Sequence, residues 1–197
     1  MAGAMVALLA TARPLDGQAG PRASLLAAAG LFVAAAITDA LDGHLARKWK
    51  AVSIFGRIMD PLADKLLVLG AAIMLAGPAF ALRSEAGQAM AAGFTGWMAV
   101  VILARELLVT SIRGAYEARG VDFSASAWGK AKMVVQSLAI PACLLAAGLW
   151  AGQRPAWVAR GVELAAWATT IVTAASALPY VHRAWRAGGS LQARGHA

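Results

Sequence analysis

The sequence has few charged residues and almost no cysteine. Charged residues make up 14% of its 197 residues and hydrophobic residues 60%, whereas an average soluble domain carries about 25% charged residues. This composition excludes an ordinary water-soluble domain and predicts an integral membrane protein. The single cysteine, Cys143, lies within an apolar run and cannot form an intrachain disulfide, so we expect a small buried side chain there.

Acidic residues and histidines are also scarce. The 10 Asp and Glu residues stand against 18 Lys and Arg residues, which gives a net charge of +8. A charge of this sign would suit a nucleic-acid binder, but the basic residues lie between apolar runs instead of forming one stripe. The pattern therefore predicts anionic lipid and phosphate ligands and no nucleic-acid partner. The 3 histidines show no metal-ligand spacing.

Five segments are long and apolar enough to cross a membrane, for which about 20 residues are needed. They are Ser24–Ala46, Ile58–Gly77, Ala89–Ile112, Met133–Ala151 and Gly161–Val181. All are rich in Ala and Leu with interspersed Gly, which favours closely packed helices, and the alternation of a transmembrane β-strand is absent. We therefore predict an all-α, polytopic membrane protein with five transmembrane helices and a single domain over residues 1–197.

Basic residues are distributed unequally over the loops between these helices. If the first of them runs inward, most Lys and Arg residues fall on the cytoplasmic side, as the positive-inside rule requires. This orientation predicts a multi-pass protein of the cell membrane, the cytoplasmic membrane of a bacterium. Residues 39–64 would then face the cytoplasm, and residues 184–197 would form a cytoplasmic tail.

Four aspartates lie between residues 39 and 64, with apolar sequence on both sides. Carboxylates cost roughly 2.5–3.5 kcal/mol each in hydrocarbon, so their presence needs a reason. On a helical wheel Asp39 and Asp42 are about 60° apart, and Asp60 and Asp64 are about 40° apart. Each helix therefore presents a pair of carboxylates on one face, near the same membrane surface.

Small residues continue these faces. Gly43 and Ala46 follow Asp39 by four and seven residues, and Gly56 precedes Asp60 by four, which leaves a cavity beside the carboxylates. Four like charges would repel one another unless a cation neutralised them. Because oxygen-only ligands suit a hard ion, we predict a binuclear site for two Mg²⁺ or Mn²⁺ ions. In the alternative reading, the aspartates pair with neighbouring basic residues, which are Arg47, Arg57 and Lys65.

These positions resemble the signature of the CDP-alcohol phosphatidyltransferase family, here Asp39-x2-Asp42-Gly43-x2-Ala46-Arg47-x8-Gly56-x3-Asp60-x3-Asp64. The resemblance implies transfer of a phosphatidyl or related group from a CDP-activated donor to an alcohol, with release of CMP. It implies that the four aspartates bind two ions that bridge the CDP pyrophosphate, and that Asp64 is the base for the acceptor hydroxyl. The donor would be bound by the remaining motif residues, Gly43, Ala46, Arg47 and Gly56.

Two further motifs, Ala104-Arg105-Glu106 and Trp128-Gly129-Lys130-x-Lys132-x3-Gln136, resemble the branch of this family that uses sn-glycerol 3-phosphate as acceptor and CDP-diacylglycerol as donor. Such an acceptor needs cations for its own phosphate. We predict that this pocket contains four residues, Arg105, Arg113, Lys130 and Lys132. Serine, inositol phosphate or phosphatidylglycerol is the alternative acceptor within the family.

The resemblance covers about Leu31–Tyr180 and fails over Met1–Pro21, where the family usually has a full first helix and six spans in all. The apolar segment MAGAMVALLATA is too short to span. It could be the core of a signal peptide without the basic N-terminal region or the remnant of a longer helix, so we expect a divergent or truncated N-terminus. Family members are often dimeric, which makes a homodimer an expected assembly.

Two other classes of membrane protein share part of this pattern. Intramembrane prenyltransferases also bind a pyrophosphate with Mg²⁺ and aspartate-rich helices, but they normally have two separated motifs and more spans. A cation channel or carrier with an acidic ring is the non-enzymatic alternative. Release of CMP from CDP-diacylglycerol distinguishes the transferase from both.

Overall fold

The computed structural model describes residues 2–10, 22–49, 54–84, 87–120, 127–150 and 154–194. Helices account for most of these residues, so the predicted helical class is confirmed. Within the described ranges the α-helices are α1 (Ala2–Ala10), α2 (Ala23–Trp49), α3 (Ile54–Leu75), α4 (Gly96–Glu117), α5 (Ala127–Leu149), α6 (Ala156–Ala175) and α7 (Leu178–Arg194). Helix α7 includes most of the segment that we predicted to be a tail.

The region between α3 and α4 adds a short hairpin that the sequence analysis did not predict. After α3 a short 3-10 turn, Pro78–Phe80, leads into strand β1 (Ala81–Ser84), which pairs antiparallel with β2 (Gly87–Met90). The start of the predicted span Ala89–Ile112 is therefore wrong, because α4 begins only at Gly96 and continues to Glu117.

Gly93 explains why the chain turns before α4. Its φ is +73°, a conformation that favours glycine, and a Cβ atom at this position would lie 2.5 Å from the carbonyl oxygen of Val162 in α6. Arg154, which precedes α6, donates hydrogen bonds to the carbonyl oxygens of Met90 and Ala91, and burial lowers the pKa of its guanidinium. The end of the hairpin is thus held against the start of α6.

The core is formed by apolar side chains of the helices, and small residues let the helices approach closely. A Cβ atom on Gly70 of α3 would lie 2.5 Å from the side chain of Val6 in α1, and one on Gly148 of α5 would lie 2.9 Å from Leu26 in α2. Such contacts confirm the close packing expected from the glycine-rich segments. Helix α1 belongs to this core, because Met5 is fully buried.

A contact between helix ends gives the relative direction of α2 and α5. The amide of Arg22, just before α2, donates a hydrogen bond of 2.8 Å to the carbonyl oxygen of Gly148 near the end of α5. Because the start of α2 meets the end of α5, these two helices are antiparallel.

Two helical segments, Trp128–Leu149 and Ala156–Arg186, are long and apolar enough to cross a membrane, and Ala23–Thr38 and Lys65–Leu75 are shorter apolar segments.

Candidate functional site

The aspartates predicted to bind metal lie on two consecutive helices. Asp39 and Asp42 belong to the C-terminal half of α2, and Asp60 and Asp64 belong to the N-terminal half of α3. The surroundings of these side chains lie outside the described part of the structure. The same holds for the surroundings of the predicted donor residues, which are Gly43, Ala46, Arg47 and Gly56. The binuclear site therefore stays a prediction.

The donor set of these two helices fits a hard divalent cation. All four side chains are carboxylates, and carboxylate oxygens suit Mg²⁺ and Mn²⁺. Helix α3 begins five residues after α2 ends, so the C-terminal end of α2 and the N-terminal end of α3 lie at the same end of the helix bundle. Elsewhere, among the side chains that the structure describes, no group of three or more His, Cys, Asp or Glu residues could hold a metal ion.

Two of the predicted acceptor residues meet at one carboxylate. Glu106 Oε1 accepts a hydrogen bond of 2.9 Å from Arg105 Nη1 and one of 2.5 Å from Lys132 Nζ. The three side chains are 10%, 7% and 11% exposed, respectively. Helices α4 and α5 therefore bring two cations from different parts of the sequence to a single buried anion.

This cluster, defined as Arg105, Glu106 and Lys132, places two cations side by side in a poorly solvated region. Buried cations are costly unless opposite charges accompany them, and Glu106 is a carboxylate that both of them contact. Two neighbouring cations of this kind can also bind an anion such as a phosphate group.

Further contacts hold Arg105 in place. Its Nε donates a hydrogen bond of 2.9 Å to Ser176 Oγ at the end of α6. Its Cζ atom lies 5.9 Å from the centre of the Tyr180 ring in α7, within the range of a cation–π contact. The guanidinium is thus contacted by side chains from α4, α6 and α7.

A short chain of hydrogen bonds connects the aspartate motif to this cluster. Lys65, which directly follows Asp64, donates a hydrogen bond of 2.7 Å from Nζ to Thr110 Oγ1. The hydroxyl of Thr110 donates in turn to the carbonyl oxygen of Glu106, also at 2.7 Å. The last position of the motif therefore lies beside the part of α4 that carries the cationic cluster.

The other two predicted acceptor residues are not among those that meet at Glu106. Arg113 is exposed and pairs with Glu117 on the next turn of α4, with 3.3 Å between Nη2 and Oε1. Lys130 is exposed, whereas Lys132, two residues later on α5, is buried. Their part in binding the acceptor stays a prediction.

Sequence reasoning missed the residues of α6 and α7 that contact the cluster. Ser176 and Tyr180 were not singled out, although a signal was available. Thr169, Thr173 and Ser176 recur at intervals of four and three residues within an apolar segment, which places three hydroxyl groups on one face of a helix. Such a stripe indicates a buried polar contact.

Comparison with known proteins agrees with the motif. Residues 2–175 match a family model described as CDP-alcohol phosphatidyltransferase. The chain is 40% identical over 120 residues to a Bacillus subtilis protein named CDP-diacylglycerol–glycerol-3-phosphate 3-phosphatidyltransferase, an alignment that covers 61% of this chain and 55% of the relative.

Two other relatives are matched over a larger share of their length. A Mycobacterium tuberculosis protein named probable phosphatidylglycerophosphate synthase is 36% identical over 170 residues, which cover 86% of this chain and 71% of the relative. A Sodalis glossinidius protein with the same name as the B. subtilis relative is 32% identical over 166 residues, which cover 81% and 79%. The chain spans about half the length of the B. subtilis relative and of several further curated relatives that it matches.

Proposed function

Because this chain belongs to the CDP-alcohol phosphatidyltransferase family, we propose that it transfers a phosphatidyl group from CDP-diacylglycerol to sn-glycerol 3-phosphate. The products are phosphatidylglycerophosphate and CMP. The observation that carries the choice of acceptor is the buried cluster of Arg105, Glu106 and Lys132, whose two neighbouring cations suit an acceptor with a phosphate of its own.

The cluster also separates the acceptors that the family uses. Serine has no phosphate that the two cations could bind, whereas glycerol 3-phosphate and inositol phosphate each carry one. The names of the relatives from B. subtilis and S. glossinidius favour glycerol 3-phosphate. Inositol phosphate is therefore the second candidate acceptor.

The aspartates of α2 and α3 would hold two Mg²⁺ or Mn²⁺ ions. When bound, such ions polarise the phosphates of the donor and neutralise charge on the leaving group. The motif glycines and Ala46 leave room for the nucleotide, and Arg47 holds a donor phosphate.

The reaction needs a base, because an alcohol hydroxyl has a pKa far above 7. Asp64 takes the proton of the acceptor hydroxyl while the oxygen of that hydroxyl attacks the phosphorus of the phosphatidyl group. The bond from that phosphorus to the bridging oxygen breaks, and CMP leaves with the electron pair. Lys65, next to Asp64, contacts the helix that carries the cationic cluster, which supports placing the acceptor between the cluster and the base.

We further propose that helices α2 to α6 cross the cell membrane with the site at the cytoplasmic side. Trp128 and Trp150 delimit α5 and are about 33 Å apart at 1.5 Å per residue, close to the thickness of a hydrocarbon core. Trp150 and Trp157 lie together at one end, with ring centres 5.7 Å apart, whereas Trp185 is exposed in α7 at the other. Tryptophans at both ends are typical of the two membrane interfaces.

CMP release by the purified full chain tests the function. We expect release from CDP-diacylglycerol in detergent that depends on both a divalent cation and glycerol 3-phosphate. Serine, inositol phosphate and phosphatidylglycerol are tested in parallel. Preference for one of these would correct the acceptor, and absence of CMP release with every acceptor would refute the proposed function.

A matched pair of variants tests the assignment of the cluster. Lys132→Ala should raise the KM for glycerol 3-phosphate about tenfold or more, because it removes a cation that is held beside the phosphate. Arg160→Ala removes an exposed cation near the start of α6, at the opposite end of the bundle, and should leave this KM unchanged. Equal effects of the two substitutions would contradict the assignment.

A further inference from the structure

The hydroxyl of Ser176 is oriented by the backbone of its own helix. Ser176 is the C-terminal cap of α6 and is fully buried, with 0% exposure. Its Oγ donates a hydrogen bond of 2.6 Å to the carbonyl oxygen of Thr173. A serine hydroxyl has one hydrogen, so the lone pairs of this oxygen are left to accept, and Arg105 Nε donates to it at 2.9 Å.

This contact belongs to a closed ring of buried interactions across three helices. Gln136 of α5 donates a hydrogen bond of 2.9 Å from Nε2 to Thr173 Oγ1 of α6. The carbonyl oxygen of Thr173 accepts the hydrogen bond from Ser176, and Ser176 in turn accepts one from Arg105 of α4. Arg105 and Lys132 both contact Glu106. Lys132 lies one turn before Gln136 on α5. The ring returns to the helix from which it started.

Such a ring removes freedom from the arginine side chain. An arginine normally loses many rotamers when it binds a ligand, and a side chain that is already ordered does not bear that loss on binding. Arg105 is held through Nε by Ser176 and through Nη1 by Glu106, and no residue that the structure describes accepts a hydrogen bond from its Nη2 group. The Nη2 group is therefore available to a phosphate oxygen.

We propose that Ser176 is a positioning residue, which does not contact substrate but aims the Arg105 guanidinium at the phosphate of the acceptor. The inference rests on the proposed function, because it takes Arg105 to be a ligand of that phosphate. It adds a specific role for the junction of α6 and α7. Loss of the Ser176 hydroxyl should weaken acceptor binding without changing donor binding.

The test removes the hydroxyl in two ways and compares a matched control. Ser176→Ala deletes the oxygen, and Ser176→Cys keeps the volume but offers a weak acceptor. Thr170→Val removes another buried hydroxyl of α6, which donates to the carbonyl oxygen of Ala166 in its own helix and contacts no charged group among the described residues. Hydrogen bonds to charged groups are among the stronger ones. Both Ser176 variants should therefore raise the KM for glycerol 3-phosphate about tenfold and change the KM for CDP-diacylglycerol less than twofold, whereas Thr170→Val should change neither.

A double-mutant comparison separates positioning from packing. Arg105→Lys lacks the Nε–H group, so adding Ser176→Ala to it should cause no further loss of affinity for glycerol 3-phosphate. A full tenfold loss in that background, or an equal loss in Thr170→Val, would show that Ser176 acts through packing and would overturn the proposal. Unchanged affinity in both Ser176 variants would overturn it as well.

Equilibrium titration of glycerol 3-phosphate provides a readout that needs no turnover. Wild-type protein that binds this ligand but releases no CMP would refute the proposed function, and the order of the variants in the titration would still decide the role of Ser176. Wild-type protein that binds no glycerol 3-phosphate would overturn the role of Ser176 together with the acceptor.

Discussion

Replacing Glu106 by glutamine should destabilise the protein far more than the loss of one surface charge would. The carboxylate neutralises Arg105 at 2.9 Å and Lys132 at 2.5 Å, and all three side chains are nearly buried. Glu106→Gln keeps an oxygen that can accept a hydrogen bond but removes the negative charge that both buried cations contact. Breaking a buried pair in this way costs about 3 kcal/mol, which corresponds to a decrease of about 6–12 °C in Tm for a chain of this size.

The structure also predicts an asymmetry between the partners. Lys132→Met leaves Arg105 paired with Glu106, so the loss should be only about 1 kcal/mol. Because Glu106→Gln removes a negative charge beside two cations, inorganic phosphate should raise the Tm of this variant more than that of the wild type.

Thermal unfolding of the full chain in detergent, followed by tryptophan fluorescence, measures these effects. Glu117→Gln is the control, since it is the same substitution on the same helix and also removes the partner of an arginine. The pair of Glu117 with Arg113 is 51% and 44% exposed, so the cost should stay within about 0.5 kcal/mol. Equal decreases in Tm for Glu106→Gln and Glu117→Gln would refute the existence of a buried charge cluster around Glu106.

Three further predictions concern the metal, the base and the turn before α4. EDTA should abolish CMP release, and release should return with Mg²⁺ or Mn²⁺ but not with Zn²⁺ alone. Asp60→Asn should abolish turnover with an unchanged Tm, and full activity in this variant would contradict the binuclear site. Asp64→Asn should retain CDP-diacylglycerol binding in a titration but lose most turnover, because an amide cannot take the proton; normal turnover at saturating Mg²⁺ would assign the base elsewhere. Gly93→Ala should lower the Tm more than Gly120→Ala, since both glycines have φ of +73° but only at Gly93 would a Cβ atom meet Val162; equal decreases would contradict this close approach.

The helices and the aspartate motif could be predicted from the sequence because both depend on local spacing. The predicted spans Ser24–Ala46 and Ile58–Gly77 correspond to α2 and α3. Hydropathy could not predict the hairpin before α4. The chain turns there because Gly93 packs against α6, which is distant in sequence.

Which cations lie together was decided by the tertiary structure. Arg105 and Arg113 lie on one helix in similar sequence surroundings, and sequence reasoning assigned both to the same pocket. At the position of Arg105 along α4, helix α5 brings Lys132 to Glu106, and the end of α6 brings Ser176 to the guanidinium. Arg105 is therefore buried and oriented, whereas Arg113 is exposed. These contacts join residues 26 and 71 positions apart. No local pattern contains that information, because helix packing alone sets which side chains of different helices face one another.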